Sequence, residues 1–169
     1  MQAVNKLLGG ITLFGLAVCL AALPQRASSS SAPEAMPSKR APQSGANEPV
    51  PAFHDEAPKG PLPATMDPAL FTEPVVRNAY TVAARIKKIL YQQPCYCHCD
   101  QSQGHGSLLD CFVSKHGSEC GICIREDLYS YEQSRKGKTA AHIREGIEHG
   151  DWQSVDTGKY EKPLPPPAH

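Results

Sequence analysis

Pro94-Cys95-Tyr96-Cys97-His98-Cys99 is the stretch that decides the fold, because it places three cysteines on alternate residues. Three more cysteines follow, at Cys111, Cys120 and Cys123. Six of the seven cysteines in the 169-residue chain therefore lie between positions 95 and 123. Thiols are reactive and bind metals readily, so a chain that gathers them in this way commits them to a metal, to disulfides or to redox exchange.

An extended conformation would prevent the alternate cysteines from sharing one metal ion. Neighbouring sulfurs on one face of a strand would be about 6.6 Å apart, because the rise is about 3.3 Å per residue. Two thiolates on one tetrahedral zinc ion must lie within about 4 Å of each other. We therefore predict that the segment curls after Pro94, with Asp100, Gly104 and Gly106 favouring the turn.

The segment Cys120-Gly121-Ile122-Cys123 supplies a second pair of thiols, and its glycine allows a turn that directs both sulfurs at one metal. Soft thiolates suit Cu(I) or Zn(II). The candidate metal ligands are Cys95, Cys97, Cys99, Cys111, Cys120 and Cys123, with His98, His105 and His116 as weaker candidates. His142 and His149 are predicted to lie on a helix surface.

Two other uses of the cysteines stay open. The three cysteines of the motif can pair with the three outside it, which would give three structural disulfides and no cofactor. The Cys120–Cys123 spacing also matches thiol–disulfide oxidoreductases, in which a helix N-terminus lowers the pKa of the first thiol. No strand pattern precedes Cys120, although such enzymes have one there, and this is the one enzymatic function that we retain.

The pattern of residues 1–23 predicts that the protein is exported. Lys6 is followed by an apolar run, as in a secretory signal, and an uncleaved membrane anchor is the alternative. Leu16-Ala17-Val18-Cys19 resembles a bacterial lipoprotein box, which would make Cys19 a lipidation site, but Val18 departs from that pattern. The remainder would then lie in the periplasm or on the outer face of a bacterial membrane, where oxidising conditions favour disulfides or metallated thiolates. The net charge of zero argues against a nucleic acid partner.

The rest of the chain divides by composition. Residues 24–66 are rich in Pro, Ala and Ser, a composition that predicts a disordered tether. Residues 157–169 are rich in Pro, which predicts a disordered tail; the alternative is that this tail docks an unknown protein partner. Residues 67–156 predict a small all-α domain of about four short helices. Hydrophobic burial alone leaves a domain of this size marginally stable, so it needs a metal or cross-links.

Four helices follow from periodicity and capping residues. The first carries apolar residues from Val76 to Leu90 and ends before Pro94. Ser107 would cap a second helix that ends at His116-Gly117, and Ser118 would cap a third that carries Cys120 and Cys123. Thr139 would cap the fourth, which buries Ile143 and Ile147 and ends at Gly150.

These residues resemble the bacterial PCYCGC-motif proteins, a family of predicted extracytoplasmic lipoproteins. The resemblance covers about residues 79 to 152. It rests on the motif at 94–99, on Gly104-His105, on Cys111-Phe112-Val113, on His116-Gly117 followed by Cys120-Gly121-Ile122-Cys123, and on Gly137-Lys138-Thr139 leading to Ile143-Arg144. It implies an extracytoplasmic compartment and a cysteine-centred domain, but no particular reaction. His98 stands where the family motif has Gly, which either adds a ligand or shows that the position tolerates a side chain.

The sequence therefore predicts an exported, tethered, non-enzymatic protein that binds Cu(I) or Zn(II) as a buffer, carrier or sensor. A disulfide-stapled interaction domain with purely structural cysteines is the alternative.

Overall fold

The structure is a computed structural model that describes residues 49–165. Within this range the chain forms helices and no strand, which confirms the predicted all-α class. The α-helices are α1 (Pro74–Arg85), α2 (Lys87–Leu90), α3 (Cys99–Gln103), α4 (Leu108–Val113), α5 (His116–Glu119), α6 (Gly121–Arg135) and α7 (Ala140–Glu148). Short 3-10 helices lie at Pro68–Leu70, Asp151–Ser154 and Thr157–Tyr160.

Helices α1 and α6 pack against each other and form the centre of the domain. Helix α1 buries Tyr80 and Val82 completely, and the Tyr80 ring lies edge-on to Phe112 of α4, with 5.1 Å between the centroids. Helix α6 contributes Leu128 to the same core. These apolar contacts fix the face of α6 that also carries Cys123.

The helix predicted between Val76 and Leu90 is interrupted. Ile86 has φ −116° and ψ 26°, which separates α1 from α2. Its side chain is buried, and Ile89 and Leu90 both donate backbone hydrogen bonds to its carbonyl oxygen. The periodicity predicts the buried face on both sides of Ile86 but not the break, because tertiary packing overrides local helix propensity.

The predicted cap of the third helix is wrong. Ser118 lies inside α5, and its hydroxyl donates to the carbonyl oxygen of Lys115 at 2.7 Å. The residue at the N-cap of α6 is Cys120, which is extended and whose Sγ accepts from the Cys123 N–H at 3.5 Å. Thr139 does cap α7, since its Oγ1 accepts from the His142 N–H at 3.3 Å.

Residues 49–66 form an ordered segment, here called the N-terminal strap. The Ala52 N–H donates to Asp100 Oδ2 at 3.2 Å, and the Met66 N–H donates to the carbonyl oxygen of Phe112 at 2.9 Å. The His54 ring stacks on Tyr91 with 3.9 Å between centroids. This segment, predicted as the end of a disordered tether, therefore packs on the domain.

The beginning of the Pro-rich tail is also packed. The Asn78 side chain of α1 donates to the carbonyl oxygens of Tyr160 and Lys162, at 2.6 and 2.8 Å. The packed chain thus extends beyond the predicted limits of 67 and 156. Across residues 49–165, no helix has the length and apolar character that crossing a membrane requires. The predicted signal or anchor and the predicted lipidation at Cys19 lie outside the described residues.

Candidate metal centre

The cysteine motif is curled, as its sequence predicts. The His98 N–H donates to the carbonyl oxygen of Cys95 at 3.1 Å, which closes a turn. The Tyr96 N–H donates to Glu126 Oε1 at 2.9 Å, so a carboxyl oxygen on α6 holds the loop in place. The Sγ atoms of Cys95 and Cys97 are consequently 3.3 Å apart, a separation that an extended segment does not allow.

Three helices bring the remaining sulfurs to this loop. Cys99 begins α3, and its Sγ lies 3.4 Å from that of Cys111 on α4. Cys123 on α6 places its Sγ 3.4 Å from Cys95 and 3.6 Å from Cys97. Cys111 therefore comes from α4 and Cys120 and Cys123 from the start of α6, and the six sulfurs form one centre rather than separate pairs.

The sulfurs and one imidazole fall into three overlapping groups of four, within which all ligand atoms lie within 4.8 Å of one another. The groups are Cys95, Cys97, Cys111 and Cys123; Cys97, His116, Cys120 and Cys123; and Cys97, Cys99, Cys111 and His116. Cys97 belongs to all three groups, so it is the sulfur around which the centre is arranged.

The three candidate histidines differ. His116 Nε2 lies 3.6 Å from Cys97 Sγ and belongs to two of the groups. His105 Nδ1 lies 3.4 Å from Cys111 Sγ, although His105 is in none of the three groups. His98 is likewise in none of them. His142 and His149 are exposed, as predicted.

Close packing of α5 against α4 brings His116 to the sulfurs. A Cβ atom on the adjacent Gly117 would lie 2.9 Å from the carbonyl oxygen of Cys111 and 3.3 Å from the Phe112 ring. Only glycine allows this approach without a shift of the backbone.

All six cysteines in the described part of the chain are free. The closest sulfur–sulfur separations among Cys95, Cys97, Cys99, Cys111 and Cys123 are 3.3 to 3.6 Å, whereas a disulfide bond is about 2.05 Å long. These separations are within the limit of about 4 Å for two thiolates on one tetrahedral metal ion. The described residues therefore contain a cysteine cluster that could hold a metal, and no disulfide.

The two sides of the centre differ in exposure. On one side, Pro51 and Ala52 of the N-terminal strap lie against Cys95 and Cys99 and leave no room for a water molecule. On the other side a surface cavity of about 600 Å³ reaches the sulfurs. That cavity is lined by Cys97, His116, Glu119, Cys120, Gly121, Ile122, Arg125 and Trp152.

The model of a family described as proteins of unknown function with a PCYCGC motif matches residues 50–168. The chain belongs to this family. No curated protein and no solved structure matches it. The PCYCGC match begins within the N-terminal strap, so the strap is part of the family's domain and not only of a tether.

The structure explains the glycine of the PCYCGC motif. His98, which stands at that position, has φ +54° and ψ +36°, in the left-handed region that favours glycine. This conformation turns the chain between Cys97 and the start of α3 at Cys99. Because His98 is in none of the ligand groups, the backbone turn accounts for the glycine of the motif, and in this chain histidine adopts the same turn.

Interactions among the thiols favour one negative charge at Cys97. The neighbouring thiols of Cys111, Cys120 and Cys123 hold the pKa of Cys97 well below its usual range. The pKa of Cys123 is raised, first by its interaction with Cys111 and then by that with Cys120. A thiolate is the form that binds metal, so the most shared position of the centre is also the one most readily ionised.

The first thiol of the Cys120–Cys123 pair has a raised pKa. The hydrogen bond with Cys123 lowers the pKa of Cys120, but the interaction with Cys97 and burial outweigh it, and the pKa of Cys120 is raised. Dithiol oxidoreductases depend on the opposite shift. Cys120 does stand at a helix N-terminus, as predicted, but that position does not make its thiol acidic here.

Two buried carboxyl groups on α6, one of them next to the cysteines, were not identified from the sequence. Glu126 and Asp127 are fully buried on α6, and neither oxygen of Asp127 has a hydrogen-bond partner. Burial raises the pKa of Glu126 to about 8 and that of Asp127 as well. Their positions three and four residues after Cys123 place all three on one helix face, and this spacing was the available signal.

Proposed function

We propose that this domain binds a cluster of soft metal ions with d¹⁰ configuration, Cu(I) in preference to Zn(II), and that it buffers or carries them outside the cytoplasm without catalysing a reaction. The observation that carries this proposal is the overlap of the three ligand groups at Cys97. Thiolate ligands select both ions, and soft Cu(I) gains most where sulfurs are crowded.

The ligand count favours a cluster over one isolated ion. The three groups contain twelve ligand positions, and seven residues fill them. If two groups are occupied, Cys97 and one of Cys111, Cys123 or His116 must serve both ions. A thiolate has the lone pairs to bridge two metals, whereas an imidazole nitrogen binds one, so a bridged cluster can occupy the all-cysteine group together with one of the two groups that contain His116.

The electrostatics of the interior also favour bound cations. Glu126 lies beside the thiols, and none of the ion pairs found among residues 49–165 joins a Lys or Arg to it. Burying several thiolates without a compensating positive charge is costly. Metal cations at the sulfurs would supply the missing positive charge.

The proposal that the protein is exported and tethered rests on the signal and the tether that the sequence predicts. A metallated thiolate survives in an oxidising compartment better than a free thiol does. The partner would be a protein that delivers or receives the metal at the membrane. The raised pKa of Cys120 weighs against thiol–disulfide exchange as the activity.

The test is anaerobic titration of the reduced full chain with Cu(I) and, separately, with Zn(II), followed by native mass spectrometry. We expect more than one Cu(I) per chain, with tighter retention of Cu(I) than of Zn(II) against a chelator. The control is the same chain with its cysteines alkylated beforehand, which should take up neither ion. Substoichiometric metal after purification, together with no binding by the reduced chain, would refute the proposal.

A further inference from the structure

We infer that metal enters and leaves the centre through one edge, formed by Cys97, His116 and Cys120, which we call the exchange edge. This inference rests on the proposed function, and it adds the route by which the metal is transferred. In the part of the chain that the structure describes, the centre is open beside Cys97, His116 and Cys120 and closed beside Cys95 and Cys99.

The closed side gives no access to an incoming ligand. Cys95, Cys99, Cys111 and Cys123 expose no more than 3% of their surface. The strap residues Pro51 and Ala52 cover Cys95 and Cys99, and the Ala52–Asp100 hydrogen bond fixes the strap in this position. Metal leaving on this side would have to displace the strap.

The open side has both space and available ligands. Cys97, His116 and Cys120 are partly exposed and line the 600 Å³ cavity. Cys120 lies in the short connection between α5 and α6, and its sulfur accepts a hydrogen bond from the Cys123 N–H at 3.5 Å. Its release would leave Cys97, His116 and Cys123 still holding an ion in that group.

The transfer step is ligand exchange. An incoming thiol forms a sulfur–metal bond as the bond between the metal and Cys120 breaks, and the proton of the incoming thiol passes to the Cys120 sulfur. The oxidation state of the metal does not change, so no oxidant or reductant is needed. Cys97 belongs to the group that contains Cys120 and also to the other two groups. Exchange at the Cys97 sulfur therefore connects ions held by those two groups to the exchange edge.

The experiment blocks the cavity without changing a ligand. The full chain is loaded anaerobically with Cu(I) and mixed with excess bathocuproine disulfonate, and release is followed by stopped-flow absorbance. Ile122→Trp places a bulkier side chain in the wall of the cavity and narrows it, and we expect it to slow release by about tenfold or more while the Cu(I) stoichiometry stays the same. Leu70→Trp is the matched control, since Leu70 is 63% exposed and lies outside the cavity, and we expect no change.

A second variant tests the closed side. Asp100→Ala removes the acceptor of the Ala52 N–H and loosens the strap. If metal leaves at the exchange edge, the release rate of Asp100→Ala stays unchanged. Faster release by Asp100→Ala with no effect of Ile122→Trp would overturn the inference.

The loading step separates this inference from the proposed function. A chain that takes up no Cu(I) fails at the loading step and refutes the proposed function, whereas a loaded chain insensitive to Ile122→Trp refutes the exchange edge alone.

Alkylation mapping gives an independent measurement if Ile122→Trp perturbs folding. Treating the Cu(I)-loaded wild-type chain with iodoacetamide and identifying the modified peptides should place the first modification at Cys120. Modification of Cys99 or Cys111 at the same rate would show that the centre opens as a whole and would contradict an exchange edge.

Discussion

Cys97→Ser is the substitution that discriminates most sharply between a shared centre and a set of independent thiols. Cys97 belongs to all three ligand groups, whereas Cys120 belongs to one. Both side chains are partly exposed, so Cys120→Ser is a control with the same chemical change at a similar degree of burial. Serine is nearly the same size as cysteine but is a poor ligand for soft metals.

The magnitude follows from the number of ligands. A structural zinc site contributes an apparent 10 to 16 kcal/mol or so, and dividing this by four ligands gives roughly 3 kcal/mol each, or about 100-fold in affinity. Cys97→Ser removes one ligand from every group, so we expect each bound ion to be weakened by about this factor. Cys120→Ser removes one ligand from one group and should leave the ions of the other two nearly unchanged.

The assay is chelator competition with Cu(I) and with Zn(II), read as bound metal per chain. Far-UV circular dichroism of each metal-free variant checks that the helices are retained. If Cys97→Ser and Cys120→Ser weaken binding equally, the sulfurs do not share a centre arranged around Cys97. No effect of Cys97→Ser would refute the reasoning outright.

Three further predictions concern residues around the centre. His98→Gly should leave the metal stoichiometry unchanged and alter the free energy of unfolding by less than about 1 kcal/mol. The change is small because relief of the positive φ at position 98 offsets the greater freedom of glycine in the unfolded chain. Loss of a metal ion would show instead that His98 is a ligand. His116→Ala should weaken metal binding by two ligand groups, whereas His142→Ala, at an exposed histidine, should weaken binding by none. Metal titration of both variants checks this. The metal-free chain should lose stability from about pH 4.5 to about pH 8, because the folded state holds a proton on Glu126 more tightly than the unfolded state does. Urea unfolding across this range should show a flatter dependence for Glu126→Gln, and an unchanged slope would contradict the burial of an ionisable Glu126.

The sequence predicts the helical class and the curl of the motif because both depend on local features. Apolar spacing gives the buried faces of α1 and α7, and the distance between alternate sulfurs makes an extended motif unable to share a metal. Thr139 is identified as a cap because its hydroxyl bonds within its own turn.

Features that depend on distant contacts could not be predicted in this way. The strap has the composition of a disordered segment, yet it is held by the Ala52 hydrogen bond to Asp100 and by stacking of His54 on Tyr91. Hydropathy places Glu126 on a surface, whereas its carboxylate is buried and accepts the Tyr96 N–H of the motif loop. In both cases a partner far along the chain compensates for a local preference.

The sequence shows that three of the six cysteines lie in the motif and three outside it, but it does not show where each sulfur lies within the centre. Spacing alone does not distinguish Cys97, which all three ligand groups share, from Cys95 or Cys99. That distinction arises because the left-handed turn at His98 separates Cys97 from Cys99 and directs the latter toward Cys111.

Native mass spectrometry of the chain recovered from its own compartment, without chelator or reductant, tests the central claim most directly. The account predicts a mass that includes more than one metal ion, with all six cysteines of residues 95–123 becoming reactive toward alkylation once the metal is removed. A metal-free chain lighter by two hydrogens for each cysteine pair, with no thiol available before reduction, would show that the cysteines form disulfides and would contradict the account.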